Sequence, residues 1–324
     1  MSVLVDLARW GLYVRARGVL DPRHPRRFVA VRRLVRLSSL RRGPARDLLA
    51  DELRRSGLET TVDACWRAQA RVVIDELALG RHDARTLPGF LRFEGLEHLD
   101  AALARGRGVV WVYPHAGPVM LMLAGLVQRG HAYTQYAARG LAPPDVAAAH
   151  PALLGHNRWR AAVQATREAD EDRTGASFLD LSTPTRALHR ALAANGIVGI
   201  AFDGRIGAKW VATPFLGRTA LLNPGCVRLA AQAGALLVPA FCRVADDDGP
   251  STCHVGPAID PAAPDALAQV VGHAEGWIRR APAGYGPWLL HARLRNAVDD
   301  HPLFTDHAPD DRWRVWAARA KERA

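Results

Sequence analysis

The sequence predicts an α/β fold: a central, mostly parallel sheet flanked by helices, with a helical region ahead of it. Three observations lead there. From about residue 90 onward, short apolar runs rich in β-formers alternate with helical segments. The runs Val109–Tyr113 and Ile197–Phe202 are unbroken rather than alternating, the pattern of strands buried on both faces of a parallel sheet. Before residue 85, apolar positions such as Val62, Trp66, Ala70, Val73 and Leu77 recur at helical spacing.

Taken in order, residues 1–85 read as a helical basic N-terminal region, 86–300 as the α/β core and 301–324 as a C-terminal tail helix. A connector from Gly80 to Pro88 ends in Leu87-Pro88-Gly89. The expected strands are Val109–Tyr113, Ile197–Phe202, Leu236–Cys242 and Thr252–Gly256. The expected helices are Leu96–Ala104, Pro118–Arg129, Thr183–Ala194, Pro224–Ala233, Ala266–Arg279 and Arg312–Glu322. The stretch 137–183, with Pro143-Pro144 and Pro151, reads as a long loop holding a helix.

Lys plus Arg total 43 against 32 acids, a net charge of +11, and nearly all the bases are arginine. Eleven arginines fall between Arg15 and Arg46. Such a segment favours anionic partners, although an Arg- and Ala-rich composition also follows from a GC-rich coding sequence. The cysteines Cys65, Cys226, Cys242 and Cys253 show no CxxC spacing, so they are expected as buried small hydrophobes in a reducing compartment. The apolar stretch 109–127 is interrupted by Pro114, His115, Gly117 and Pro118. It reads as strand, sharp turn and helix, each too short to span a bilayer. The N-terminus lacks the pattern of a signal peptide.

Three segments carry chemistry. Gly106 to Gly117 delivers His115 from a hydrophobic strand to a turn that opens a helix, where backbone N–H groups near residues 116–119 favour an anion or a developing oxyanion. Gly199 to Gly207 ends a second buried strand in Asp203 on a Gly-rich loop. If both strands lie in one sheet, Asp203 and His115 emerge at the same edge, a general-base arrangement in which the acid fixes the histidine tautomer. Pro214-Phe215-Leu216-Gly217-Arg218-Thr219-Ala220 is an aromatic loop expected to line a tunnel or hold a phosphate. Singly these are common structural features. Their order and spacing carry the information.

In that order the segments resemble the lipid A late acyltransferases, a family that includes lauroyl and myristoyl transferases and related mannoside acyltransferases. The resemblance runs from about Leu87 to Asn296. It is strongest over Asp203-Gly204-Arg205-Ile206-Gly207, Lys209 and Pro214-Phe215-Leu216-Gly217, and it closes with Trp288 to Arg295. It implies a central sheet with flanking helices, of the lysophospholipid-acyltransferase-like kind. It also implies a catalytic histidine, here His115, that deprotonates an acceptor attacking an acyl thioester. The sequence departs from the family at three points. Met120 stands where the family's His-x4-Asp/Glu motif has its acid, Arg205 replaces a usual acid, and no N-terminal membrane helix like that of the lipid A enzymes is expected from residues 1–85. Asp203 then becomes the candidate partner of His115; otherwise an amine or hydroxylamine acceptor would need less activation than a hydroxyl.

The resemblance thus implies an acyltransferase with His115, Asp203 and Arg139 as candidate catalytic residues. Lys209, Arg218, Gly117 and Phe215 are candidate substrate contacts. The expected donor is an acyl-carrier protein, acyl-CoA or another activated carrier, and the acceptor a lipid or small molecule. An anionic membrane surface is a further expected partner, with no nucleic acid beyond a tRNA-linked donor. Neither cofactor nor metal is expected: the tail residues Asp299, Asp300, His301, Asp306, His307, Asp310 and Asp311 are metal-ligand types without a fixed helical spacing. The expected location is cytoplasmic, peripheral to the inner face of the cell membrane. The competing reading is a descendant that binds acyl chains, membrane or a partner protein without transfer.

Overall fold

The computed structural model of the chain describes residues 7, 10–38, 44–137, 157–180, 183–204, 209–246, 248–295 and 302–307. Its first long helices are α1 (Pro25–Ser38), α2 (Pro44–Arg55) and α3 (Val62–Glu76). The Thr61 hydroxyl caps α3 by accepting from the Ala64 N–H. Then follow β1 (Leu91–Glu94), α4 (Leu96–Leu103), β2 (Val109–Tyr113), α5 (Val119–Gln128), β3 (Tyr133–Tyr136), α6 (Arg158–Asp172), β4 (Ser177–Leu179), α7 (Arg186–Ala193) and β5 (Ile197–Ala201). The chain continues through β6 (Val211–Phe215), β7 (Arg218–Leu222), α8 (Gly225–Ala233), β8 (Leu236–Arg243), β9 (Ser251–Val255), α9 (Ala266–Arg280) and α10 (Gly286–Arg295).

Seven strands form one sheet in the order β1-β9-β8-β2-β5-β3-β4, and only the β8–β9 step is antiparallel. The expected mostly parallel sheet is therefore present. Strand β2 alternates between two cores. Val110 and Val112 face the cluster holding Phe202, Phe215, Leu229 and Ile278, while Val109, Trp111 and Tyr113 face the cluster holding α4 and α5. Both faces are apolar because both are covered by helices. The N-terminal helices complete these layers: Leu49 and Leu53 of α2 join the first cluster, and Phe28 of α1 and Ile74 of α3 join the second.

The structure corrects several expected elements. β1, β3 and β4 lack a strong apolar signature, and sheet pairing makes them strands. In β3 the buried Gln135 is tolerated because its Oε1 accepts from Tyr113 and Tyr133 hydroxyls at 2.7 and 3.1 Å. The segment 211–222, expected as a loop around Phe215, is the hairpin β6–β7. Its turn residues Leu216 and Gly217 both have positive φ (54° and 71°), as a tight hairpin turn requires. The expected tail helix Arg312–Glu322 lies outside the described residues.

All four cysteines are buried and free. Much of the early arginine cluster is neutralised within the fold. Arg17 pairs with Asp170, Arg32 with Asp75, Arg33 with Asp248 and Arg46 with Asp63. No helix among the described residues is long and apolar enough to cross a membrane.

Candidate active site

Strands β2 and β5 are parallel neighbours with Tyr113 beside Ala201. Two residues further on, their chains reach His115 and Asp203 at the carboxyl edge of the sheet. There the chain after β2 leads on to β3 on one side, and the chain after β5 leads to β8 on the other. Such reversals open a crevice at the strand ends. His115 Nδ1 lies 2.7 Å from Asp203 Oδ1. The same carboxylate accepts from the His115 backbone N–H at 3.1 and 3.2 Å and from the Tyr285 hydroxyl at 3.0 Å. Asp203 has no exposed surface, whereas the His115 side chain is 38% exposed. A buried carboxylate holding several hydrogen bonds is an acceptor, so Nδ1 carries the proton and Nε2 keeps its lone pair. Nε2 has no partner among the described residues.

Two residues of the C-terminal helical segment complete the geometry. The Trp288 indole stacks on the His115 ring with centroids 3.7 Å apart and planes 12° apart. Burial first, and the neighbouring Asp203 carboxylate next, hold the Tyr285 phenol proton well above the ordinary tyrosine range, so its hydroxyl donates. Trp288 was visible in the sequence only as part of the closing motif. Tyr285 carried no signal there, since its role depends on a contact with a strand end 82 positions away.

The turn after His115 is tightly constrained. Gly117 has φ +67°, and a Cβ there would sit 2.1 Å from the Cys242 carbonyl oxygen of β8. The Ala116 N–H is bonded to Pro114 O and the Val119 N–H to Gly117 O, while the Gly117 N–H has no partner among the described residues. The Met120 N–H donates to Glu76 Oε1 of α3 at 3.2 Å. A carboxyl thus reaches the backbone of position 120, where the side chain supplies none. Burial pushes the Glu76 carboxyl up to about 7, against the opposing pull of Arg167 and the Met120 N–H.

The remaining sequence-predicted residues are placed differently. Phe215 is fully buried, edge-on to Phe202 and Tyr285, and so backs the dyad from within the core instead of lining a tunnel. Arg218 is turned away from an expected phosphate. Its guanidinium lies 2.8 Å from Glu52 and 2.7 Å from Asp306, over the Phe304 ring, and is 5% exposed. A buried Glu52 needs such partners: the Arg293 guanidinium lies 3.6 Å away and His307 Nε2 2.8 Å away. Asp306 and His307 are therefore engaged by Arg218 and Glu52, and no metal-binding group of His, Cys, Asp or Glu occurs among the described residues. Lys209 is exposed just ahead of β6. Arg139 and Arg205 lie outside the described residues.

Comparison with known proteins agrees with this arrangement. Phosphatidylinositol mannoside acyltransferase from Mycobacterium tuberculosis (strain ATCC 25618 / H37Rv) is 28% identical over 200 residues, 60% of this chain and 57% of the relative. The protein of that name from strain CDC 1551 / Oshkosh aligns with the same identity and coverage. The chain thus spans just over half the length of the curated relatives it matches. The bacterial lipid A biosynthesis acyltransferase family matches residues 152–296, a segment that contains Asp203, Tyr285 and Trp288, while His115 is joined to it by the geometry of the sheet. Over those residues the resemblance first read from the sequence motifs is borne out, and the chain carries the bacterial lipid A biosynthesis acyltransferase pattern.

Proposed function

We propose that this protein transfers an acyl group from a thioester donor to a hydroxyl of a polar lipid, with His115 as general base. The observation that carries the reading is the 2.7 Å contact of Nδ1 with a fully buried Asp203, which leaves Nε2 basic on a half-exposed ring. Nε2 takes the acceptor's proton as its oxygen attacks the thioester carbonyl. The Gly117 N–H, in the turn after β2 and without a partner among the described residues, is the candidate donor to the resulting oxyanion. Collapse of the intermediate breaks the C–S bond, and the leaving thiolate takes the proton back from the imidazolium. Tyr285 and Trp288 position the pair. Lys209 is a candidate contact for the donor.

Met120 leaves the family's usual acid position empty, which favoured a more reactive amine acceptor as long as His115 had no partner. With Asp203 at Nδ1 that motive falls away, and the names of the relatives favour a lipid acceptor. The test is release of free thiol from acyl-CoA, with and without a polar lipid acceptor, by wild type and His115→Ala. The variant is expected to lose about 10²–10⁴ in rate. Equal rates would leave the protein as a binder without transfer.

A further inference from the structure

A second feature opens on the same edge of the sheet. A cleft of about 260 Å³ lies between α3, the end of β8 with the loop after it, and the turn 280–284. Arg32, Arg67, Arg71, Arg243 and Arg280 line it, against the acids Glu59 and Asp246. Arg32 and Arg71 form a buried floor, and both contact one carboxylate, Asp75. Arg71 is further fixed by the carbonyls of Ala245, at 3.1 Å, and Gly249. At the rim, Arg67 and Arg280 are exposed and meet no carboxylate among the described residues, and Arg243 has only Asp246 at 3.9 Å.

The cleft adjoins the dyad. β8 runs parallel to β2, so its end at Arg243 points to the edge where His115 emerges. At the inner wall, a Cβ on Gly284 would lie 3.3 Å from Val244 Cγ2 and 3.7 Å from the Gly117 nitrogen. The next residue is Tyr285, which holds Asp203. The space is many times what one water needs, enough for a phosphate and part of the group that carries it. Several guanidiniums lining one space suit phosphate oxygens, which arginine can bind bidentately.

We infer that this cleft binds a phosphate group of the substrate while the acyl carbonyl sits at His115. That the ligand is a substrate rests on the acyl-transfer reading; that the cleft binds phosphate is tested apart from it. Two sources share the chemistry: the phosphates of a soluble CoA-type donor and the phosphodiester of a lipid head group. The experiment measures binding of coenzyme A and inorganic pyrophosphate by calorimetry at low salt. It also measures cosedimentation with phosphatidylcholine vesicles with and without phosphatidylinositol. Wild type, His115→Ala and the rim variant Arg67→Ala/Arg280→Ala are compared.

The rim variant removes exposed side chains that make no hydrogen bond or ion pair among the described residues, and it is expected to weaken binding by about tenfold or more. Weakened coenzyme A and pyrophosphate binding assigns the cleft to the donor. Weakening confined to phosphatidylinositol vesicles assigns it to a head group. The inference is overturned if wild type binds none of these probes, or if the rim variant binds them as tightly as wild type. His115→Ala is expected to bind as wild type does while losing transfer. If it keeps transfer, the catalytic reading fails and the binding result stands by itself.

Discussion

Replacing Asp203 with Asn tests the dyad most directly. The wild-type carboxylate collects three donors: the His115 Nδ1–H, the His115 backbone N–H and the Tyr285 hydroxyl, at 2.7 to 3.2 Å. An amide offers one acceptor oxygen and an NH2 group, so at least one donor faces another donor unless the histidine changes tautomer. If the ring accepts from the new NH2 at Nδ1, its proton moves to Nε2 and the base is lost. A comparable substitution in the Ser-His-Asp template costs about 10⁴ in kcat, and about 10³–10⁴ is expected here. The stability cost should be smaller, about 1–3 kcal/mol, because the charge lost was itself buried and needed its partners. The assay is thiol release from an acyl-CoA that wild type accepts, with kcat and KM separated and folding checked by near-UV circular dichroism. The expected result is a large loss in kcat with little change in KM. A folded variant that keeps more than about a tenth of wild-type kcat refutes the argument.

Two further outcomes follow from the same geometry. Gly117→Ala places a methyl 2.1 Å from Cys242 O at φ +67°, and should cost about 2–4 kcal/mol in chemical denaturation. Gly130→Ala is the control: at φ +90° with nothing within 4 Å, it should cost only about 1–2 kcal/mol. For Glu76, the folded carboxyl is held at about 7 against an ordinary 4.5. The unfolded chain therefore releases this proton first as pH rises, and stability falls between about pH 4.5 and 7, by at most about 3 kcal/mol. Glu76→Gln should raise the Tm at pH 8 and leave it nearly unchanged at pH 4.5; equal shifts at both would show that the charge is not the cause.

Much of this was legible in the sequence because it is local. Val109–Tyr113 is a strand and Pro118 begins a helical turn whatever surrounds them, since an unbroken apolar run and a proline act through their own backbones. The emergence of His115 and Asp203 at one edge followed from two such runs, given one sheet. The hairpin around Phe215 was hidden because Leu216, unusually for leucine, adopts positive φ, and local propensity argues against that. β3 was hidden because the polar Gln135 is buried by virtue of partners on neighbouring strands, the Tyr113 hydroxyl of β2 and the Gly199 carbonyl of β5.

The sequence by itself determined the α/β class, the strand that carries His115 and the candidacy of Asp203. Only the tertiary structure decided that Asp203 meets His115 across 88 positions, that Tyr285 and Trp288 hold the pair, and that Arg218 serves Glu52 instead of a ligand. It also gathered five arginines from four segments into one cleft. The physical reason is the same in each case. A hydrogen bond or ion pair between distant residues depends on which strands are neighbours, and the order β8-β2-β5 is set by packing of the whole sheet, which no local run of residues encodes.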